Sequence, residues 1–168
     1  MGLTRPAGGG GGGGGVTDHG ALTGLGDDDH SQYHTDARGD ARYAQLTHTH
    51  TGVIGVTIDG GGSAITTGQK GYVSVPFDCT ITGWTLVADQ SGSIVIDVWK
   101  DTYANFPPTV ADTIAGTEKP TLSSVQKNED SNLTTWTTAI AAGDVIGFNV
   151  DSASTVTRVT LTLKITRS

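Results

Sequence analysis

The sequence predicts a mainly β protein: a C-terminal antiparallel β-sandwich over residues 71–168, jelly-roll-like in its strand count, carried on a slender segment without a core of its own. Three observations predict it. Strand-like runs recur about every ten residues from Gly71 onward, with turn residues between them. Thr, Val, Ile, Gly and Ser are abundant, whereas helix formers are few. Residues 18–50 hold all five histidines and six of the seventeen acidic residues, yet little aliphatic bulk. Their Leu22, Leu25, Tyr33, Tyr43 and Leu46 are too sparse to offset the entropy of ordering about thirty residues. Such a stretch, too poor for its own core and too patterned for a linker, points to a core shared between chains.

In chain order, residues 1–16 contain an unbroken glycine run, Gly8 to Gly15. Glycine loses the most backbone entropy on ordering, so the run reads as a flexible tether. Threading into a socket that only glycine fits, or a bundle of polyglycine helices, are the other readings. Collagen is excluded because the period of three is absent. This end is the expected attachment point, since the folded mass lies at the other. Residues 17–50 follow. Asp27-Asp28-Asp29 lacks EF-hand spacing and suits capping of a turn or short helix better than calcium. Asp36-Ala37-Arg38 and Asp40-Ala41-Arg42 repeat at a spacing of four, which predicts a short helix over residues 36–45. The Arg38-Gly39-Asp40 tripeptide lies inside that repeat and reads as structural, its arginines paired with Asp of neighbouring chains.

The stretch HGALTGLGDDDHSQYHTDARGDARYAQ resembles the stalk motif of tailed-bacteriophage fibres, an HGxLxGLxDDDHxQY stretch followed by RGDARY. It covers roughly a sixth of the chain and departs from the usual pattern at His34-Thr35-Asp36, where a Leu-Asn pair is more familiar. The resemblance implies a homotrimeric virion fibre, with three copies of an intertwined stalk wound about a three-fold axis. Its N-terminus would dock on a tail, baseplate or capsid protein, and the protein would be made in the host cytoplasm and released in particles.

His48 and His50, in Thr-His-Thr-His-Thr, carry the clearest chemical signal. Residues two apart on a strand share a face, so one chain offers two imidazoles, an incomplete site. Three chains about an axis would offer six, octahedral nitrogen ligation suited to Fe²⁺ or another first-row divalent ion and wrong for structural zinc. Fibre tips with several HxH units are known for this arrangement, and LTHTHT looks like one unit, present once. Two histidines on a solvated strand are the alternative. A metal here would be a structural staple; no cofactor is otherwise implied.

Residues 51–70 read as an intertwined β connector, with Val53, Ile54, Val56 and Ile58 in a short strand ended at Asp59-Gly60. In the sandwich, GYVSVPF is the first strand, TITGWTLVA the second and SIVIDVWKD the third, with Ile94, Ile96 and Val98 on one face. Residues 110–125 supply one or two more, and LTTWTTAI another. DVIGFNV places Ile146, Phe148 and Val150 together after a tight Gly143-Asp144 turn, and TRVTLTLKI points Val159, Leu161, Leu163 and Ile165 inward. IAAGDVIGFNV resembles a phrase frequent in the β-sandwich heads of phage fibres and in lectin-like jelly rolls, which supports the fold and no particular ligand.

Net charge is −7 and no basic stripe is present, which argues against nucleic-acid binding and against charge-driven membrane adsorption. No apolar run is long enough for a membrane-spanning helix. Cys79 stands alone and reads as a small buried hydrophobe. With every histidine at or before position 50 and the carboxylates of the head scattered, neither a Ser-His-Asp set nor a paired-carboxylate site is expected, so the chain is not expected to be an enzyme. Binding of a host-surface receptor, a glycan, is the expected function. The candidate residues are Tyr103, Asn105 and Phe106 in a proline-rich loop, and Trp136 beside Asn132. Trp84 and Trp99 are assigned to the interior or to a subunit interface. A non-binding head or tail decoration, or a cellular lectin or adhesin, are the alternatives. Aromatics with converging polar groups on the far end of the head would favour the binder.

Overall fold

A computed structural model describes residues 49–167. The glycine run, the stalk motif, the expected helix over 36–45 and His48 lie outside the described residues. What is described is mainly β and antiparallel: β1 (His50–Asp59), β2 (Gly68–Ser74), β3 (Cys79–Thr102), β4 (Thr121–Asp130), β5 (Ala139–Ile140), β6 (Asp144–Ser154) and β7 (Arg158–Arg167). They join one curled sheet in the order β1-β7-β3-β6-β2, with β4 and β5 also paired to β3. Its two edges approach each other: a Cβ on Gly71 of β2 would lie 3.8 Å from Val56 Cγ2 of β1. A single apolar cluster fills the curl, and it includes Ile146, Phe148 and Val150 of β6 and Val159, Leu161, Leu163 and Ile165 of β7. Alternation placed those side chains correctly because each strand has one face on this core.

The largest departure from the sequence reading is β3. The expected second and third strands are one strand of 24 residues. Its first half pairs with β7 from Thr80 to Ala88, its second with β6 from Ser93 to Thr102, and β4 runs along its other side. Asp89-Gln90-Ser91-Gly92 has turn composition, but its polar groups serve the distant β6–β7 turn instead. The Gln90 amide donates to Thr155 O, and Asp89 accepts from the Thr157 hydroxyl and from the backbone amides of Thr157 and Arg158. Gly92 sits where that turn presses in: a Cβ there would lie 2.7 Å from both Ser154 O and Val156 Cγ2. A bulge between Ile81 and Gly83 shifts the pairing by one residue, so Ile81, Trp84 and Leu86 all face the core despite their mixed parity.

The hydrogen bonds to Asp89, the Thr157 hydroxyl first, hold its carboxyl below the usual aspartate range. A lowered folded-state pKa means the stabilisation is present above the unfolded value and is lost as pH falls through the folded one. Urea midpoints should therefore decline below about pH 4, and Asp89→Asn should flatten that acid limb. An unchanged acid limb in the variant would show that the clamp contributes nothing.

Residues 51–70 are not a connector outside the head. β1 pairs with β7 over ten residues, from His50↔Arg167 to Asp59↔Arg158, and buries Ile54 and Ile58 in the common core. The boundary expected at residue 71 therefore does not mark the edge of the fold. LTTWTTAI forms a strand only at Ala139–Ile140.

Residues 113–120 strap the edge of β3 that continues beyond β4. The Ile114 amide donates to Val98 O at 2.8 Å, and Thr113 bridges Trp99. Beneath the strap Asp97 is fully buried. Its Oδ1 accepts from the Thr113 hydroxyl (2.6 Å) and the Val98 amide (2.9 Å), and its Oδ2 lies 2.9 Å from Lys119 Nζ. Lys119 also reaches Asp151 at 2.7 Å, and these two carboxylates hold its ammonium above the usual lysine range.

Candidate functional site

Along β2 and into Val75, which follows it, Val73 and Val75 turn toward the core and Tyr72 and Ser74 outward. Beside it in register, Val145 of β6 pairs with Ser74, and Gly147 pairs with Tyr72. After Thr102 the chain turns through Tyr103–Asn105 in a short 3-10 helix, and Pro108 then packs over Gly147, 3.2 Å from where its Cβ would be. This lays Phe106 against Tyr72, edge to face with ring centroids 4.7 Å apart. Tyr72, Ser74, Tyr103, Phe106 and Val145 line an open groove of about 470 Å³. The rings are not core: Tyr103 is 77% exposed, Phe106 48% and Tyr72 41%.

Two carboxylates shape the loop. Asp101 accepts from the Thr102 amide (2.7 Å) and from Asn105 Nδ2 (3.1 Å), which fixes Asn105 within the loop. Asp112 accepts from the Thr109 amide and hydroxyl at 2.7 and 2.8 Å, and these bonds hold its carboxyl below the usual range. The rings are thus presented on a braced loop above a strand pair, an arrangement that can stack on an apolar face and offer tyrosine and serine hydroxyls at its margin.

Of the sequence candidates, Tyr103 and Phe106 line this groove, and Asn105 lies between them in the same loop without lining it. Trp136 does not line it either. It is only 8% exposed, and its indole nitrogen donates to Glu118 O at 3.0 Å. Its loop is folded onto residues 115–118 through Glu118, which accepts from the Thr134 hydroxyl, the Thr135 amide (2.8 Å) and the Thr135 hydroxyl. Asn132 is exposed in the same loop, away from the groove lining, so neither belongs to this site. Trp84 is interior and Trp99 half-buried. Tyr72 and Ser74 were missed, although the alternation of Val73 and Val75 within GYVSVPF leaves them on the opposite face. Trp136→Phe should lower stability by about 1 kcal/mol, the worth of one hydrogen bond, without changing ligand binding. Thermal unfolding and a binding titration would show it.

The groove is not at the end expected. β1 begins at His50 beside Arg167, and Thr80 of β3 pairs with Thr166 at that same end. Residues 75–78 link Ser74 directly to Cys79, which brings the groove's end of β2 and β6 there too. The opposite end is built from the turn after Asp59, the middle of β3 around Gly92 and the turn between Ser154 and Arg158.

A larger hollow of about 630 Å³ opens near the start of β1, lined in part by Cys79, Lys100, Ile140, Thr166 and Arg167. Its polar groups are mostly engaged. Lys100 is paired with Asp144 at 3.0 Å, Asp78 accepts from the Ala142 amide, and the Arg167 guanidinium lies 4.9 Å from the Phe77 ring centre. Burial pushes the Cys79 thiol up, away from reactivity. The smaller aromatic groove is therefore the better site, despite its volume.

His50 is exposed at the first residue of β1. Among the described residues no three His, Cys, Asp or Glu side chains gather as a metal-binding group, and no helix is long and apolar enough to cross a membrane. Compared with protein-family models, curated proteins and solved structures, the chain matches none.

Proposed function

We propose that the chain is one subunit of a homotrimeric fibre on a tailed-phage particle, attached through its N-terminus, whose jelly-roll-like sandwich head binds glycan on the host surface without catalysis. The observation that carries the binding role is the trio of exposed rings, Tyr72, Tyr103 and Phe106, lining one groove. Exposed aromatics grouped on a braced loop cost solvation unless they meet something. Three such grooves on one trimer would add avidity without new contacts. The fibre assignment rests on the stalk motif in the sequence. Sedimentation of the intact protein should return a trimer; a monomer or dimer overturns it. Tyr103→Ala should weaken adsorption of the trimer to host envelopes about thirtyfold or more, in line with loss of a ring at a contact centre, with thermal unfolding unchanged. Equal adsorption by the variant overturns the binding role.

His48 and His50 of three copies are the residues that would hold one Fe²⁺, as a staple and not a reactive centre. Elemental analysis of the trimer should find iron that His48→Ala removes.

One observation favours a second reading, a decoration without receptor. The groove lies toward the end where β1 begins, a position a neighbouring subunit could cover. Solvent labelling of Tyr103 in the intact trimer separates the two: a protected ring marks a subunit contact, an accessible ring a binding surface.

A further inference from the structure

The groove also carries information on the class of sugar it takes. We infer, resting on the glycan-binding reading above, that its ligand is a neutral saccharide, not a sialylated, uronate-bearing or phosphorylated one. The three segments that build it, residues 71–77, 101–112 and 143–150, contain no Lys or Arg. What charge they bring is negative. Asp101 and Asp112 brace the loop, and Asp144 at the start of β6 is neutralised by Lys100. The two cations adjoining these segments in sequence are engaged elsewhere. Lys100 is held by Asp144, and Lys70 donates to Thr66 Oγ1 and Thr67 O.

An acidic sugar seated on Tyr72, Tyr103 and Phe106 would lose part of its hydration with no cation among the described lining residues to replace it, and Asp101, paired in register with Val145 of the lining, adds a like charge nearby. A neutral pyranose meets no such opposition. Its C–H face covers the rings, and its hydroxyls meet groups of the matching kind, the tyrosine and serine hydroxyls of the lining. The chemistry present is that of a polyol site.

The test uses the full-length trimer on an array of neutral gluco-, galacto-, manno- and rhamno-oligosaccharides beside sialylated, uronate and glycerol-phosphate counterparts, at low and high salt. Binding to neutral members is expected, changing less than twofold with salt and falling about tenfold or more in Tyr103→Ala and in Phe106→Ala. Thermal unfolding of Tyr103→Ala should match the parent, and that of Phe106→Ala, which loses the edge contact with Tyr72, should fall by no more than a few degrees. Binding confined to acidic members, or weakened by salt, overturns the neutral assignment but leaves the groove a glycan site. Binding that survives both substitutions, or none on any member, overturns the glycan reading itself.

Discussion

Lys119→Met should destabilise the head by about 3 kcal/mol, because it leaves the Asp97 carboxylate buried without its counter-charge. Asp97 is fully enclosed, and Lys119 is the cation that reaches its Oδ2. The two bonds to Oδ1 remain in the variant and do not neutralise the charge. Lys119 is itself partly exposed, so water entering its place limits the loss to the lower end of what a broken buried pair costs. The asymmetry is diagnostic. Asp97→Leu should cost less than Lys119→Met, since Lys119 keeps Asp151 and its contact with water. The double variant should recover part of the loss seen in Lys119→Met alone. Urea unfolding of the four proteins gives the cycle; equal losses for both single variants would show that the strap is held by its backbone contacts and not by this pair.

Gly92→Val should be nearly as damaging, about 3 kcal/mol, at the upper end of the usual cost of overpacking. Any Cβ at this position meets Ser154 O and Val156 Cγ2 at 2.7 Å and crowds Thr155 Oγ1. Neither the backbone oxygen nor the buried Val156 can yield cheaply, and Thr155 already occupies a positive φ of 69°. If β3 were instead two strands with a solvent-exposed turn at Gly92, the substitution would cost well under 1 kcal/mol. Chemical denaturation of the variant therefore reports on the continuity of the strand.

What could be read from the sequence was local. Alternation in DVIGFNV and TRVTLTLKI names the buried face because each strand's neighbours in space repeat the same period. The unbroken run of β3 was hidden because Asp89, Gln90 and Gly92 compose a turn, and their partners at residues 154–158 are more than sixty positions away. β1 was hidden in the same way: VIGVTI carries a strand pattern, but its membership in the head depends on β7, about a hundred positions on. At the site, the Tyr103-Ala104-Asn105-Phe106-Pro107-Pro108 loop announced exposed rings through its prolines. Trp136 misled because its setting among threonines looks solvated, while Glu118 satisfies both those threonines and, through its backbone, the indole.

The pairing of His50 with Arg167 sets the start and finish of the described chain side by side. A cargo peptide fused behind β7 would emerge next to the leader of β1, near the aromatic groove, and would compete there for space. A graft into the turn between Ser154 and Arg158 would project from the other pole. Display of a foreign epitope should thus spare adsorption when carried in that turn and impair it when appended behind β7, and a plate assay with both fusions would tell them apart.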